Sequence, residues 1–283
     1  MADKIQIITM AEEQIIITNS GLPVYGMLYM PDSAVVGSIV LCNPIFEERK
    51  SANRALVETA RYLRNNGFAV LRFDYRGCGD SAGKFNNFSP EDWVADINNA
   101  ADFLRQYVSN SKGMVCLLGL RLGSALALNA AINDTKIDSL VLWEPVVSGQ
   151  NYIEQELRKK LVKQMVTFGQ SKETRSAILK NLKQGREIDF DGYPVSPTLY
   201  RELCDIDMIR SANTFQKHVL IVHVTSRARP SKPICQLRDA FTTAAEIKLQ
   251  IIKQQPFWNL IGYVDCFLLI SETEKWIKSF GVS

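Results

Sequence analysis

The sequence predicts an α/β fold, a mostly parallel sheet of about eight strands with helices on both faces and a helical cap. Three observations predict it. Short apolar runs alternate with helical segments along most of the chain; a five-residue turn, Gly119-Leu120-Arg121-Leu122-Gly123, joins an apolar run to an Ala-rich helix; and residues 148–213 break the alternation with helical, charge-rich sequence. Repeated βα units place helices on both faces of a parallel sheet.

Apolar, β-branched stretches at 23–30 and 36–42 read as early strands, followed by a helix over 54–65 that stops at Gly67. A strand at 69–75 comes next, then a helix from Ser89-Pro90-Glu91-Asp92 to about Val108. Serine as N-cap, proline at the first helical position and acids in the first turn define that start. Residues 114–118 form a buried strand and 122–131 an apolar helix, with the two glycines allowing a sharp turn and close helix packing. Strands at 139–143, 218–223 and 247–253 and helices at 234–244 and 271–280 complete the alternation. The core is then 1–147 with 214–283, and 148–213 is a cap over the carboxyl ends of the strands, where such sheets bind ligands.

With 283 residues, 46% of them hydrophobic and 22% charged, the chain can bury a large core. A net charge of +3 is too mild to argue for nucleic acid, and no basic run is interleaved with aromatics. The cysteines Cys42, Cys78, Cys116, Cys204, Cys235 and Cys266 follow no metal-ligand or disulfide spacing, and several sit in apolar strands as small hydrophobes. Met1-Ala2-Asp3-Lys4 carries no signal-peptide pattern and no apolar stretch reaches membrane-spanning length. The expectation is a cytoplasmic protein without cofactor or metal and without stable membrane insertion. Its expected partner is a small anionic molecule, with a homo-oligomer or a pathway enzyme as further candidates.

Arg76-Gly77-Cys78-Gly79-Asp80-Ser81, the 119–123 turn and the long alternation resemble the serine-aminopeptidase-like branch of the α/β-hydrolase superfamily. A narrower resemblance is to hydrolase 2 associated with the exosortase A system. It rests on Asn43-Pro44-Ile45-Phe46-Glu47-Glu48-Arg49-Lys50, on 77–83 with Trp93, on the 119–123 turn, on 142–149 and on Pro256-Phe257-Trp258. That group carries glutamine at the position of Glu144.

The superfamily resemblance implies a Gly-x-Ser-x-Gly nucleophile elbow at 119–123, and this chain holds Arg121 in place of the serine. A guanidinium is always protonated and cannot attack a carbonyl. The implied acid position, after the strand at 218–223, reads Val224-Thr225-Ser226-Arg227-Ala228-Arg229-Pro230, with no carboxylate. The implied base position reads Gln254-Gln255-Pro256-Phe257-Trp258-Asn259, and no histidine follows His223. A Ser-His-Asp relay in its usual arrangement cannot form.

The superfamily's strand order implies that Glu47 or Glu48, Arg121 and Glu144 share one crevice. Arg121 would sit at the positive end of the following helix, so it needs an anion, either a protein carboxylate or a ligand. Both readings stay open: a buried Arg–Glu pair, or a clamp for a carboxylate, phosphate or thioester-linked group. An unorthodox hydrolase or acyltransferase would use Glu47, Glu48 or Glu144 as general base, with Arg121 and amides near Leu122 and Ile45 holding the oxyanion. It needs a carboxylate free of Arg121. A non-catalytic binder has every acid paired.

Asn43, Ile45, Phe46, Leu122, Asp80, Trp258 and His223 are the candidate substrate contacts. The residue types favour a turn role for Asp80 and Ser81, a hydrogen-bonded structural role for His223, and a pocket wall for Trp258. Ser124 and Cys42 read as core residues, and His218 starts its strand at the far edge. In the cap, Ile153, Leu157, Leu161, Met165 and Phe168 share one face of a helix over 152–168, with Arg158, Lys159, Lys160 and Lys163 mostly elsewhere. Packing over the crevice explains that stripe in preference to an anionic membrane surface.

Overall fold

The computed structural model describes residues 12–108, 113–169, 173–227, 229–260 and 262–281. The amino-terminal Met1-Ala2-Asp3-Lys4 and Ala228 lie outside them. In chain order the elements are β1 (Glu12–Asn19), β2 (Leu22–Tyr29), β3 (Gly37–Cys42), α1 (Phe46–Asn65), β4 (Phe68–Phe73), α2 (Pro90–Tyr107), β5 (Met114–Leu120), α3 (Leu122–Asn133) and β6 (Ser139–Trp143). The segment expected to form a cap then holds α4 (Gly149–Phe168), α5 (Arg175–Lys183), β7 (Ile188–Phe190), β8 (Tyr193–Val195), α6 (Pro197–Asp205) and α7 (Met208–Ala212). The core then resumes with β9 (His218–Val224), α8 (Lys232–Ala240), β10 (Glu246–Ile252) and α9 (Phe267–Gly281).

Among the described residues, eight strands form one sheet in the order β1-β2-β4-β3-β5-β6-β9-β10. The β1–β2 and β2–β4 pairs are antiparallel and the other five pairs parallel. The parallel strands are covered on both faces. In β3, Val40 and Cys42 point into one core cluster with α2 and α3, while Ile39 and Leu41 point into the other with α1 and α9. That period-two split of an all-apolar run is what a doubly covered strand requires.

Several boundaries differ from the sequence expectation. Helix α1 begins at Phe46, not 54, directly after β3. Its N-cap Ile45 makes no side-chain capping bond, so the start carried no polar signal. β1 was not expected; it joins β2 through Ser20 and Gly21, both at positive φ (50° and 77°), as a tight hairpin turn requires. The cap also holds a three-residue hairpin, β7–β8. Helix α2 starts as expected, with a reciprocal Ser89–Asp92 capping box. In α4, Ile153 and Leu157 are buried and Leu161 is half-buried, but Met165 and Phe168 are 56% and 54% exposed. Packing over the crevice therefore explains only the first half of the stripe.

Candidate functional site

The strand-to-helix turn is built as an elbow. Arg121 has φ 56° and ψ −121°, a sparsely populated conformation costing on the order of 1–3 kcal/mol. Three backbone bonds hold it: Arg121 N–H to Trp143 O at 3.0 Å, Ser124 N–H to Arg121 O at 3.0 Å, and Val146 N–H to Arg121 O at 3.3 Å. The glycines are there for space. A methyl on Gly123 would run into the Cys42 and Asn43 carbonyl oxygens, and one on Gly119 into the Gly123 carbonyl.

Because β5 lies between β3 and β6, the Arg121 side chain emerges between the ends of those strands. Its Nε donates to Glu48 Oε1 at 3.1 Å and its Nη1 to the Glu144 backbone oxygen at 3.4 Å. The guanidinium lies 5.7 Å from the Tyr152 ring centroid and 5.4 Å from that of Trp258. Its side chain keeps 11% exposure. Burial, the largest influence, pulls its pKa down, but Glu48, Tyr152 and Glu144 together outweigh it and the net direction is up.

Glu48 is the hub. Only 1% exposed, it accepts from Arg121, from the Tyr152 hydroxyl at 3.3 Å and from Lys159 Nζ at 3.4 Å. Lys159 also reaches Glu156 Oε1 at 2.6 Å and Asn259 Oδ1 at 3.0 Å. Burial, then the neighbouring Glu48 charge, push the Glu156 carboxyl up. The Tyr152 hydroxyl is driven well up, first by burial and then by Glu48.

Glu47 is turned away from Arg121, because successive residues of a helix point about 100° apart, and lines only the cavity on the Glu48 side. It pairs with Lys50 at 2.8 Å on the exposed side of α1. Glu144 bonds Arg121 through its backbone oxygen, not its carboxylate. Its Oε2 accepts from Val224 N–H at 2.8 Å and meets His223 Nδ1 at 2.7 Å. His223 is 6% exposed and Glu144 holds φ 40°, a left-handed conformation uncommon for a side-chain-bearing residue.

The remaining candidates separate clearly. Asn43 is buried and donates from Nδ2 to Phe73 O, while its own carbonyl accepts from Tyr75 Oη at 3.1 Å, so it ties β3 to β4. Phe46 is buried against Tyr152 and Phe190 in a stacked aromatic group that joins α1 to the cap. Ile45 and Leu122 are buried at the starts of α1 and α3, where first-turn amides lack intrahelical acceptors. Asp80 is exposed and uses its backbone N–H to reach Asp74, outside the crevice. Ser81 Oγ donates to Asp74 O at 2.6 Å and accepts from Tyr25 N–H at 2.8 Å. Ser124 is fully buried and donates to Gly119 O at 2.7 Å. Cys42 is fully buried, and burial drives its thiol pKa well up, the opposite of a reactive thiolate. His218 stacks on Phe280 at the amino end of β9.

Two cavities flank the pair. One of about 320 Å³ is lined by Arg121, Glu144, Tyr152, Asn151, Gln155 and Ser231 among others. The second, about 260 Å³, is lined by Glu48, Glu156, Lys159 and Trp258 among others. Arg121 thus faces one and Glu48 the other. Tyr152, Glu156 and Lys159 were not expected at the site. Their spacing of four and three residues on α4 places them on one helical face beside buried Ile153 and Leu157, which is the signal that could have found them.

Comparison with known proteins agrees with this fold. The family model described as serine aminopeptidase, S33, matches residues 31–211. A ferulic acid-bound Est1E of Butyrivibrio proteoclasticus is similar in fold, with TM-score 0.64 and 18% identity over 94% of this chain and 98% of that one. The Pyrococcus furiosus esterase Pf2001 gives TM-score 0.65 and 14% identity, covering 95% and 90%. DcsB, solved with a substrate analogue, gives 0.65 and 17%, covering 95% and 99%. At such identities these show the fold alone. An uncharacterized protein of Rickettsia prowazekii, RP471, is 28% identical over 116 residues, which is 41% of this chain and 47% of that protein. The chain therefore spans about half the length of that relative.

Proposed function

The chain belongs to the serine aminopeptidase S33 family, and we propose that it is a member in which anion binding has replaced nucleophilic catalysis. The carrying observation is Arg121 in the elbow conformation, facing a cavity of about 320 Å³ under the cap. Its fork is only partly used, by one carboxylate contact and one long carbonyl contact. A small molecule with a carboxylate or thioester-linked acidic group and an apolar body suits that cavity, whose walls include Val146, Val147, Ile209 and Ile234. The pairing of Glu47 with Lys50 and of Glu48 with Arg121 leaves neither acid of α1 free and supports binding over catalysis.

A thermal-shift screen of carboxylates, acyl thioesters and phosphates on wild type and Arg121→Ala tests this, because a ligand of the native state raises the midpoint. At least one carboxylate or thioester is expected to stabilise wild type and not the variant. Arg121→Lys should lose most of the shift, since an ammonium cannot reproduce a planar fork. If no anion stabilises wild type and Arg121→Ala only lowers its midpoint, Arg121 is a structural ion pair and nothing more.

One observation favours a second reading, an unorthodox hydrolase or acyltransferase acting on an ester or thioester. The contact of Glu144 Oε2 with His223 Nδ1 is the arrangement that fixes an imidazole as a base at Nε2. Water would attack the acyl carbon as His223 takes its proton, the thiolate or alkoxide would leave with that proton, and Arg121 with the Leu122 amide would hold the oxyanion. Turnover of a thioester panel lost in His223→Gln would establish it. We further infer membership of the exosortase A-associated hydrolase 2 group, supported by the convergence of the 43–50, 119–123 and 142–149 blocks on one crevice. Residues 1–147 and 214–283 are taken as the core and 148–213 as its cap. A cytoplasmic setting is supported by six free cysteines.

A further inference from the structure

The loop from β9 to α8, where the family places a triad acid, is basic in this chain. A cavity of about 520 Å³ opens there, lined by His223, Thr225, Arg227, Arg229, Pro230 and Ser231. No carboxylate lines it among the described residues, and both arginines are exposed. Arg227 bonds through its backbone N–H to Thr225 Oγ1 at 3.2 Å, and among the described residues its guanidinium has no hydrogen-bond partner. The floor is built: His223 lines the cavity, is over nine-tenths buried, and is held by Glu144 at its Nδ1. Ser231 is the N-cap of α8 yet makes no side-chain capping bond, so its hydroxyl is free as well.

We propose that this cavity is a phosphate-binding subsite. Two guanidinium groups and a free hydroxyl around one space that no carboxylate lines suit a multiply charged oxyanion better than a carboxylate, which one fork satisfies. Ser231 also lines the cavity that Arg121 faces; Glu144 lines that cavity too, and its partner His223 lines this one. The two cavities together fit a phosphate-bearing molecule whose other end reaches Arg121. Only this last extension rests on the reading of Arg121 as an anion clamp; the subsite stands without it.

The experiment is calorimetric titration of inorganic phosphate and pyrophosphate into wild type, Arg227→Ala/Arg229→Ala and Arg121→Ala, with thermal midpoints recorded for each. Wild type is expected to bind pyrophosphate more tightly than phosphate. The double variant should lose at least about tenfold in affinity with its midpoint unchanged, as exposed arginines allow. Arg121→Ala should keep the affinity. No binding to wild type, or equal binding by the double variant, overturns the subsite. Loss in Arg121→Ala alone also overturns it and moves the phosphate to the elbow, leaving the anion-clamp reading intact. Phosphate binding that survives Arg121→Ala while no carboxylate or thioester binds wild type sinks the clamp and keeps the subsite.

Discussion

Replacing Glu48 by glutamine tests whether the crevice is organised around one buried carboxylate. The amide keeps the shape but removes the charge facing Arg121 Nε at 3.1 Å and Lys159 Nζ at 3.4 Å. Removing one partner of a buried pair leaves the other uncompensated and costs about 3–5 kcal/mol. Two features reduce that here. Arg121 retains 11% exposure, and its flanking Tyr152 and Trp258 rings continue to favour a cation. The expected loss is therefore about 2–3 kcal/mol, or roughly 4–12 °C in midpoint at about 2–4 °C per kcal/mol. Glu47→Gln, one residue away on the exposed side, should stay within about 0.5 kcal/mol. Thermal and urea unfolding of Glu48→Gln, Arg121→Met and the double variant close a double-mutant cycle. The double variant should be no less stable than Glu48→Gln, because no orphaned charge remains. A Glu48→Gln loss no larger than that of Glu47→Gln, or strictly additive effects around the cycle, would refute the pairing argument.

Three further outcomes are expected. Gly123→Ala should fail to accumulate as folded protein, since its methyl meets two backbone carbonyls and neither can swing aside; a soluble variant with a wild-type midpoint contradicts this. Serine-directed fluorophosphonates should not label the protein, because Ser124 is fully buried and bonded to Gly119 O; stoichiometric labelling lost in Ser124→Ala would restore an ordinary hydrolase. For Glu156, whose folded pKa is raised above its ordinary 4.5, the stabilising contribution is present below pH 4.5 and lost as pH rises through the raised value. Wild type should then lose stability relative to Glu156→Gln between pH 4.5 and neutrality, and parallel midpoint-against-pH curves would show the carboxyl to be unstrained.

The sheet was legible because its signals are local. Strand 139–143 was bounded by its own apolar run, and α2 by a serine, a proline and an aspartate within four residues. Helix α1 was cut short because it starts from Ile45 without a capping side chain and with Phe46 at φ 55°, neither of which leaves a mark in sequence. That error mattered for function. Only a helix running from Phe46 turns Glu48 inward and Glu47 outward, so a loop at 46–53 left the two acids equivalent. The cap hairpin escaped because three-residue strands carry too little alternation to register.

The Glu144–His223 contact shows the harder limit, that of non-local register. The two residues are 79 apart in sequence, and nothing near either names the other. Their meeting follows from β6 lying beside β9 with Trp143 opposite Val222, which brings the next residue of each strand to the same edge. Glu144 then turns to φ 40° and sends its carboxylate to the Val224 amide and His223 instead of to Arg121. Arg121 takes its carboxylate from Glu48 on α1 instead. The elbow's own geometry needs no serine: the bonds from Arg121 N–H to Trp143 O and from Val146 N–H to Arg121 O join β5 to the loop after β6. A strained residue persists where surrounding bonds over-determine it. Here those bonds also stitch the centre of the sheet, so the strained turn is held by backbone alone and does not depend on which side chain residue 121 carries.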